Sequence, residues 1–233
     1  MYPPLPGINI FLLGSIAVGK LRGNELKEEK NFDGILQIAD ETSSQYLRSF
    51  VFTVQLENAV IFSMWDTATK LLVEAGDVRS VLVGVVMGVR FSVLEALVSI
   101  KTAQASTTWW NRKKLSIKAL SSVNLIRKWV KSGNVNLVHN LHLLEAELAN
   151  LNGYDRLAED NYELAITTAS ANSFRQDKAL SHELASMYYG SRGDVYKRDH
   201  HMKHAILCYE EWGAQAKVDQ LHLQPYINSN VMV

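Results

Sequence analysis

Two ten-residue stretches decide the fold: LEAELANLNG at 144–153 and LASMYYGSRG at 184–193. They lie 40 residues apart, and each carries apolar residues at helical spacing before it ends on a glycine. Self-comparison at this offset aligns small and apolar residues on both sides of each glycine. The aligned pairs are Gly153 and Gly193, Leu144 and Leu184, Leu148 and Tyr188, Ala149 and Tyr189, Tyr162 and Met202, Ala165 and Ala205, Ile166 and Ile206, and Ala169 and Tyr209. Repetition at this period predicts two successive helical hairpins whose aligned residues face inward.

The unit is predicted to be two helices joined by a tight turn. The first helix ends at Gly153 or Gly193, since glycine adopts the left-handed conformation of a helix terminus at little cost. The second helix presents small alanines such as Ala165 and Ala205, which let its partner approach closely. One hairpin cannot bury both of its faces, so neighbouring hairpins must stack. We therefore predict an all-α fold, specifically a tetratricopeptide-like helical-hairpin solenoid.

The apolar pattern predicts helices along most of the chain. Their expected ranges are 33–43, 46–61, 65–75, 78–104, 110–131, 137–151, 157–172, 177–190, 196–211 and 215–222. The valine-rich run Val81–Val89 has strand propensity but no plausible strand partner, so we expect a buried helix there.

These helices suggest four parts of the chain. They are an N-terminal segment of uncertain role at 1–20, irregular helical repeats at 21–135, two well-formed hairpins with a capping helix at 136–226, and a tail at 227–233. A fainter repeat follows the helix with Tyr46, Phe50 and Leu56. Its residues are Phe62, Trp65, Ala68, Leu72 and Ala75.

Composition narrows the classes of partner and the compartment. The 24 basic and 24 acidic residues cancel, which disfavours nucleic acid, acidic substrates and anionic lipid. The apolar run Leu5–Val18 lacks a signal peptide's basic start and cleavage pattern, and it is too short to span a bilayer. Cys208 is the single cysteine, which suits a reducing compartment. We expect a cytoplasmic protein with protein partners and no membrane or nucleic-acid contact.

One stretch has the spacing of a phosphate-binding P-loop. Gly14, Gly19 and Lys20 match that spacing, but Leu21 stands where a magnesium-binding hydroxyl belongs. No later apolar strand ending in aspartate supplies a second metal ligand. The preferred interpretation is a helix with incidental glycines, and a nucleotide-binding module using a degenerate P-loop at 14–20 is the alternative.

Histidines form two further candidate sites. Ser181–Leu184 matches the start of a histidine-kinase phosphoacceptor box, but Ala185–Met187 replaces the expected Arg-Thr-Pro. We therefore expect His182 to be solvated or to cap a helix. His200 and His204 lie four residues apart on a predicted helix, where two imidazoles could chelate a metal.

A solvated polar face explains that second group equally well. Asp199 and His201 flank it, but the sequence fixes no third ligand. His139 and His142 near another helix start are expected to serve packing or capping. We predict no catalytic, cofactor-binding or metal-ligating residue, and hence no enzyme.

A basic, aromatic helix is the last candidate. It contains Trp109, Trp110 and Trp129 with Arg112, Lys113, Lys114, Arg127, Lys128 and Lys131. Two interpretations stay open: a partner-binding face, or basic side-chain stems that cover an apolar stripe.

The C-terminal stretch 208–221, CYEEWGAQAKVDQL, with Tyr226 nearby, resembles the end of a helical repeat region in large multidomain sensor kinases. The resemblance continues upstream through 144–149, Ala165–Ile166 and 178–189. It extends more loosely through Trp129 and Phe62 to 21–24. It spans about 200 residues and is strongest after Leu137.

Those polypeptides join a Ser/Thr-kinase-like domain, an AAA ATPase, the helical region, a GAF domain and a histidine kinase. The resemblance implies a linking and sensing scaffold without catalytic residues of its own. His182 stands where the family tends to have Asn. The expected function is a non-catalytic scaffold for protein interaction or interdomain coupling in phosphorelay signalling, as a fragment or relic of such a kinase.

Overall fold

The computed structural model describes residues 21–23 and 29–223, and within these ranges the chain is all-helical, with eleven α-helices and no β-strand. The helices are α1 (Glu29–Glu41), α2 (Gln45–Ile61), α3 (Trp65–Ala75), α4 (Val78–Val81), α5 (Val86–Ala105), α6 (Trp109–Lys131), α7 (Val138–Asn152), α8 (Asp155–Ala171), α9 (Arg175–Ser191), α10 (Val195–Trp212) and α11 (Gln215–His222). A short 3-10 turn, Val135–Leu137, precedes α7.

Most helices end in the same left-handed turn. The left-handed residues are Ser43, Ser63, Gly133, Gly153, Ser173, Gly193 and Gly213. At Gly153 the backbone N–H donates to the Asn150 carbonyl and the next N–H, of Tyr154, donates to Ala149, and the other six turns repeat both bonds. This pair of bonds is the Schellman motif, which satisfies carbonyls that the helix end leaves unpaired. From Gly133 to Gly213 the turns recur every 20 residues, which is half of the 40-residue sequence repeat.

Helices that are adjacent in the chain pack as pairs, and the pairs contact one another in order. Four such pairs are α2 with α3, α5 with α6, α7 with α8, and α9 with α10. The first helices of these pairs also touch in succession, α2 on α5, α5 on α7 and α7 on α9. Of the 14 helix residues that the repeat aligns, all are buried except Leu148, which is half-buried, whereas the two turn glycines, Gly153 and Gly193, are exposed. The prediction that the aligned residues face inward is therefore confirmed at 13 of 16 positions and is wrong for the two glycines.

The valine-rich run differs from its prediction. The expected helix 78–104 is two helices, α4 and α5, separated by a turn in which Gly84 has φ +74°. Val83 and Val86 are 75% and 82% exposed, so the prediction of a buried helix over Val81–Val89 was wrong. The start of α5 returns so close to α4 that a Cβ on Gly88 would lie 2.3 Å from the Leu82 carbonyl oxygen. Only glycine fits there without moving the backbone.

The beginning of the array also touches its end. Ile61, the last residue of α2, shares a core cluster with Ala179 of α9 and Tyr209 of α10. Gln220 of α11 donates a 3.0 Å hydrogen bond to the Phe62 carbonyl. The first and last hairpins are therefore in direct contact. Among the described helices none is both long enough and apolar enough to cross a bilayer.

Candidate functional site

A buried carboxylate, Glu183 of α9, holds the two ends of the array together. Its oxygens accept hydrogen bonds from Lys217 (2.7 Å) of α11, Tyr209 (2.8 Å) of α10 and Ser63 (2.9 Å) after α2. Glu183 is 1% exposed and Lys217 is fully buried. Burial, together with the nearby Glu183 charge, raises the pKa of Tyr209 well above its usual range, so its hydroxyl stays a donor. We call these four residues the Glu183 network.

A second, largely buried network joins the first helices of four hairpins. Arg90 of α5 donates to Glu57 of α2 (2.9 Å) and to Asp177 of α9 (2.8 Å). Asp177 also bonds His139 of α7 at 2.9 Å. Burial alone would raise the pKa of Asp177, but Arg90 and His139 lower it to about 2. His139 stacks on Phe174 as well, in agreement with the packing role expected for it.

Glu147 of α7 repeats the chemistry of the Glu183 network with other residues. Lys101 of α5 donates to both of its oxygens at 2.8 Å, Tyr162 of α8 donates at 2.9 Å and Gln104 at 2.9 Å. In both places a lysine, a tyrosine hydroxyl and a third donor saturate a carboxylate. These carboxylates therefore fix helix to helix, and their lone pairs are occupied by the fold itself.

Sequence reasoning did not single out these networks, although it quoted two of their members inside other motifs. Glu183 follows His182 in the suspected phosphoacceptor box, and Lys217 lies in the C-terminal stretch that carries the family resemblance. The structure brings these two stretches together as a buried ion pair. One sequence signal could have indicated this pair. Glu183 and Lys217 are charged residues directly beside apolar helix residues, Leu184 and Val218, that lie in the core.

His182 is buried, at 6% exposure, so the expectation of a solvated or capping histidine was wrong. Its Nδ1 lies 3.1 Å from Nδ1 of His201, and its ring stacks 5.3 Å from that of His204. A hydrogen bond between two Nδ1 atoms needs a proton on one of them and a free lone pair on the other, so at least one of the two rings is neutral. Burial, followed by repulsion from neighbouring histidines, lowers the pKa of His182 to about 3 and that of His201 to about 4.

His201 and its neighbour His200 line a groove of about 340 Å³ between α8 and α10. His201 stacks on Tyr189 at 5.3 Å, and its Nε2 lies 3.7 Å from a Glu163 oxygen. Lys197 donates to Glu159 at 2.9 Å on the same wall. The groove is lined by Glu159, Asp160, Glu163, Tyr189, Tyr196, Lys197, His200 and His201.

The metal candidate at His200 and His204 has a defined geometry. The two rings lie 4.5 Å apart, and His204 also faces His182. In the part of the chain that the structure describes, no three His, Cys, Asp or Glu side chains are arranged to hold a metal ion. The P-loop candidate, Gly14 to Lys20, lies outside the described residues. Leu21, which follows it, is buried in the same cluster as Ile61.

The basic, aromatic helix is α6, the outer helix of its hairpin. Seven of its 23 residues are Lys or Arg and none is Asp or Glu. Trp109 and Trp110 are 58% and 71% exposed, and Ile117 is 63% exposed. The sequence left open whether basic stems cover this apolar stripe. Lys113 does lie 5.0 Å over the Trp109 ring, but the stripe as a whole is open to solvent.

No protein-family model, curated protein or solved structure matches this chain. Its function must therefore follow from the geometry of the helices and of the surfaces they expose.

Proposed function

We propose that this protein is a non-catalytic scaffold, a tetratricopeptide-like hairpin solenoid that holds other protein segments in register. The observation that carries the proposal is the Glu183 network, in which three donors from the two ends of the array meet on one carboxylate. A coupling element must move as one body, because slack between its ends would absorb any displacement it should transmit. A buried, fully bonded network supplies that continuity.

The Arg90 network supports the same role. It ties α2, α5, α7 and α9 together through Glu57, Asp177 and His139. Each of these helices is the first of its hairpin, so the four hairpins share one largely buried ionic cluster. A displacement applied at α2 is therefore expected to reach α9 without passing through every intervening turn.

The groove between α8 and α10 is the proposed contact point for a partner. Its carboxylates, Glu159 and Glu163, face a wall with the aromatic ring of Tyr189. Carboxylates next to an aromatic face suit a basic side chain, which gains both ionic and cation–π attraction. Lys197, which lies 4.7 Å over the Tyr189 ring, already makes that contact from within the chain. We propose a basic segment of a protein partner as the occupant.

The resemblance of 208–221 and 178–189 to multidomain sensor kinases suggests the identity of the partner. We propose that the chain derives from, or belongs to, the connecting region of such a kinase in phosphorelay signalling. Its partner would then be another domain of a kinase polypeptide. The transcript on both sides of the reading frame should encode ATPase and histidine-kinase segments, and unrelated flanking genes would remove this part of the proposal.

Site-specific photocrosslinking tests the scaffold function directly. A photoreactive phenylalanine replaces Tyr196, which lines the groove and is 83% exposed, and the matched control replaces Val73 of α3, 79% exposed. In the cells that express the protein, we expect a discrete crosslinked polypeptide from position 196 and none from position 73. Mass spectrometry of the product should identify a kinase, GAF or ATPase segment. Equal, diffuse labelling from both positions would contradict the proposal.

A further inference from the structure

Helix α6 carries a concentrated positive charge, although the net charge of the whole chain is zero. Since basic and acidic residues number 24 each, seven cations on α6 leave a net charge of −7 for the rest of the protein. Electrostatic attraction depends on the local field rather than on the net charge. The zero net charge of the chain, from which the sequence predicted no contact with anionic lipid, therefore does not describe this helix.

Several of these cations have no carboxylate partner. Arg127 pairs with Glu145 at 2.9 Å, and Lys118 lies 3.8 Å from Glu95. Within the described part of the chain, Lys114, Lys128 and Lys131 form no ion pair. They are spread over both halves of α6, which is about 34 Å long. An anionic partner would have to match this whole length.

Apolar side chains project from the same face. Trp110, Ile117 and Leu120 are 71%, 63% and 46% exposed, at positions that share one side of the helix with Lys113 and Lys114. They stand out from the surface as knobs. A rigid protein partner would need a matching pocket for each knob, whereas a lipid leaflet deforms around them. Nucleic acid would leave the aliphatic side chains of Ile117 and Leu120 against charged phosphates.

We propose that α6 is a membrane-docking surface, which lies along an anionic leaflet with its apolar knobs among the acyl chains and its lysines at the headgroups. Tryptophan beside lysine is the composition that the boundary between headgroups and acyl chains favours. The lysines attract phosphatidylserine or phosphoinositide headgroups, and the knobs add the apolar contact that lysines alone lack. This surface lies apart from the groove between α8 and α10, so it does not depend on the scaffold proposal.

The test is co-sedimentation of the full chain with vesicles. Phosphatidylcholine vesicles with about 30% phosphatidylserine should bind it, and pure phosphatidylcholine should not. Binding should weaken as salt rises, because screening shortens the reach of the lysines. Equal binding to both vesicle types, or none to either, would overturn the proposal.

Charge variants test whether α6 is the surface that binds the vesicles. Lys113→Gln/Lys114→Gln should weaken partitioning about thirtyfold, since each lysine near an anionic leaflet contributes a factor of about five. The matched control, Lys70→Gln/Lys203→Gln, changes the net charge equally at exposed positions on α3 and α10. It should bind as the parent does. If both pairs lose affinity equally, the attraction is not a property of α6.

The apolar knobs are tested with a second pair of variants. Trp110→Ser/Ile117→Ser should reduce binding at least tenfold, whereas Val73→Ser/Tyr196→Ser, which removes equally exposed apolar groups elsewhere, should not. Brominated lipid should quench the fluorescence of the parent, and Trp109→Phe/Trp110→Phe should lose that quenching. An acidic polyglutamate peptide or a DNA duplex that binds as tightly as the vesicles would assign the face to another polyanion and refute lipid docking.

Discussion

The Glu183 network and the α6 face are both rich in charged side chains. The charges of the network are buried and paired, whereas several of those on α6 are exposed and unpaired. Inside the array Glu183 and Lys217 are buried, hydrogen-bond to each other, and are further bonded to Ser63, Tyr209 and Gln220. On α6 Lys114 and Lys128 are exposed to solvent, with no carboxylate on their own helix. The difference indicates that charged groups in the interior fix the positions of the helices, whereas the lysines of α6 stay available to bind a partner. The two roles differ in burial and in hydrogen-bond partners, because lysine occurs in both places.

Removing one member of the buried pair should have the largest effect. Lys217→Met leaves the Glu183 carboxylate buried beside a methyl group, which should lower the free energy of unfolding by about 3–5 kcal/mol. The double variant Lys217→Met/Glu183→Leu should recover part of that loss, because it no longer buries an unpaired charge. Urea denaturation followed by circular dichroism measures both. A single-variant loss below about 1 kcal/mol would mean that the interior charges are no more structural than those on α6.

The buried histidines sharpen the comparison, because they are interior groups that must stay neutral. The folded-state pKa values of His182 and His201, about 3 and about 4, lie below the ordinary histidine value. The unfolded chain therefore binds more protons as pH falls below about 6.5, and stability is lost progressively from there to about pH 4. At pH 4 the loss should be on the order of 3 kcal/mol for each of the two histidines.

The pH dependence has a direct control. Denaturation curves measured between neutral pH and pH 4 should be flatter for His182→Gln/His201→Gln than for the parent chain. The charged and titratable neighbours Glu163, Lys178, His200 and His204 remain in both proteins, so the difference isolates the buried pair. Identical slopes would place the acid sensitivity elsewhere in the chain.

The left-handed turns should respond more weakly and in a predictable direction. Ser173 has φ +60° and an exposed side chain, so Ser173→Gly removes backbone strain and should stabilise the protein by about 0.5–1 kcal/mol. The reciprocal change, Gly153→Ser, introduces that strain at an equally open position and should destabilise it by a similar amount. Thermal unfolding of both variants measures the two shifts. Shifts of the same sign would show that other contacts dominate these turns.

The smallest effect on stability is expected at α6 itself. Lys114→Gln/Lys128→Gln removes two exposed charges that lack ionic partners, and the free energy of unfolding should change by less than about 0.5 kcal/mol. The same chemical denaturation as for Lys217→Met gives the number. A loss of several kcal/mol would erase the distinction between the two regions and would show that these lysines support the fold.

Helix positions could be predicted from sequence because apolar periodicity and turn residues agree along most of the chain. The left-handed glycines Gly153, Gly193 and Gly213 mark helix ends, and each expected helix from 110 onward ends within a few residues of its position in the structure. The turn at Gly84 was not predicted because the residues on both sides are mostly valine. A continuous run of valine looks the same in sequence whether the side chains are buried or exposed. A close backbone return, as at Gly88, leaves no periodic signal.

The site could not be predicted in the same way because α9 is covered on nearly every side. Residues 181–186 are all buried, since α8, α10, α7 and the end of α2 surround this helix. The rule that a helix has one buried and one solvated face placed His182 in solvent, and that rule does not hold for a central helix. Lys217 and Glu183, 34 residues apart, meet only because α10 and α11 return to α9.

The contact between the two ends of the array also sets an order of events during protein synthesis. Ile61 and Ser63 leave the ribosome long before Glu183 and Lys217, the partners that cover them, have been made. At ordinary translation rates that interval is on the order of 10 s. During it the nascent chain exposes an apolar helix end that the finished protein buries. Chaperone binding, or aggregation of truncated chains that stop before α11, should therefore concentrate on the last turn of α2.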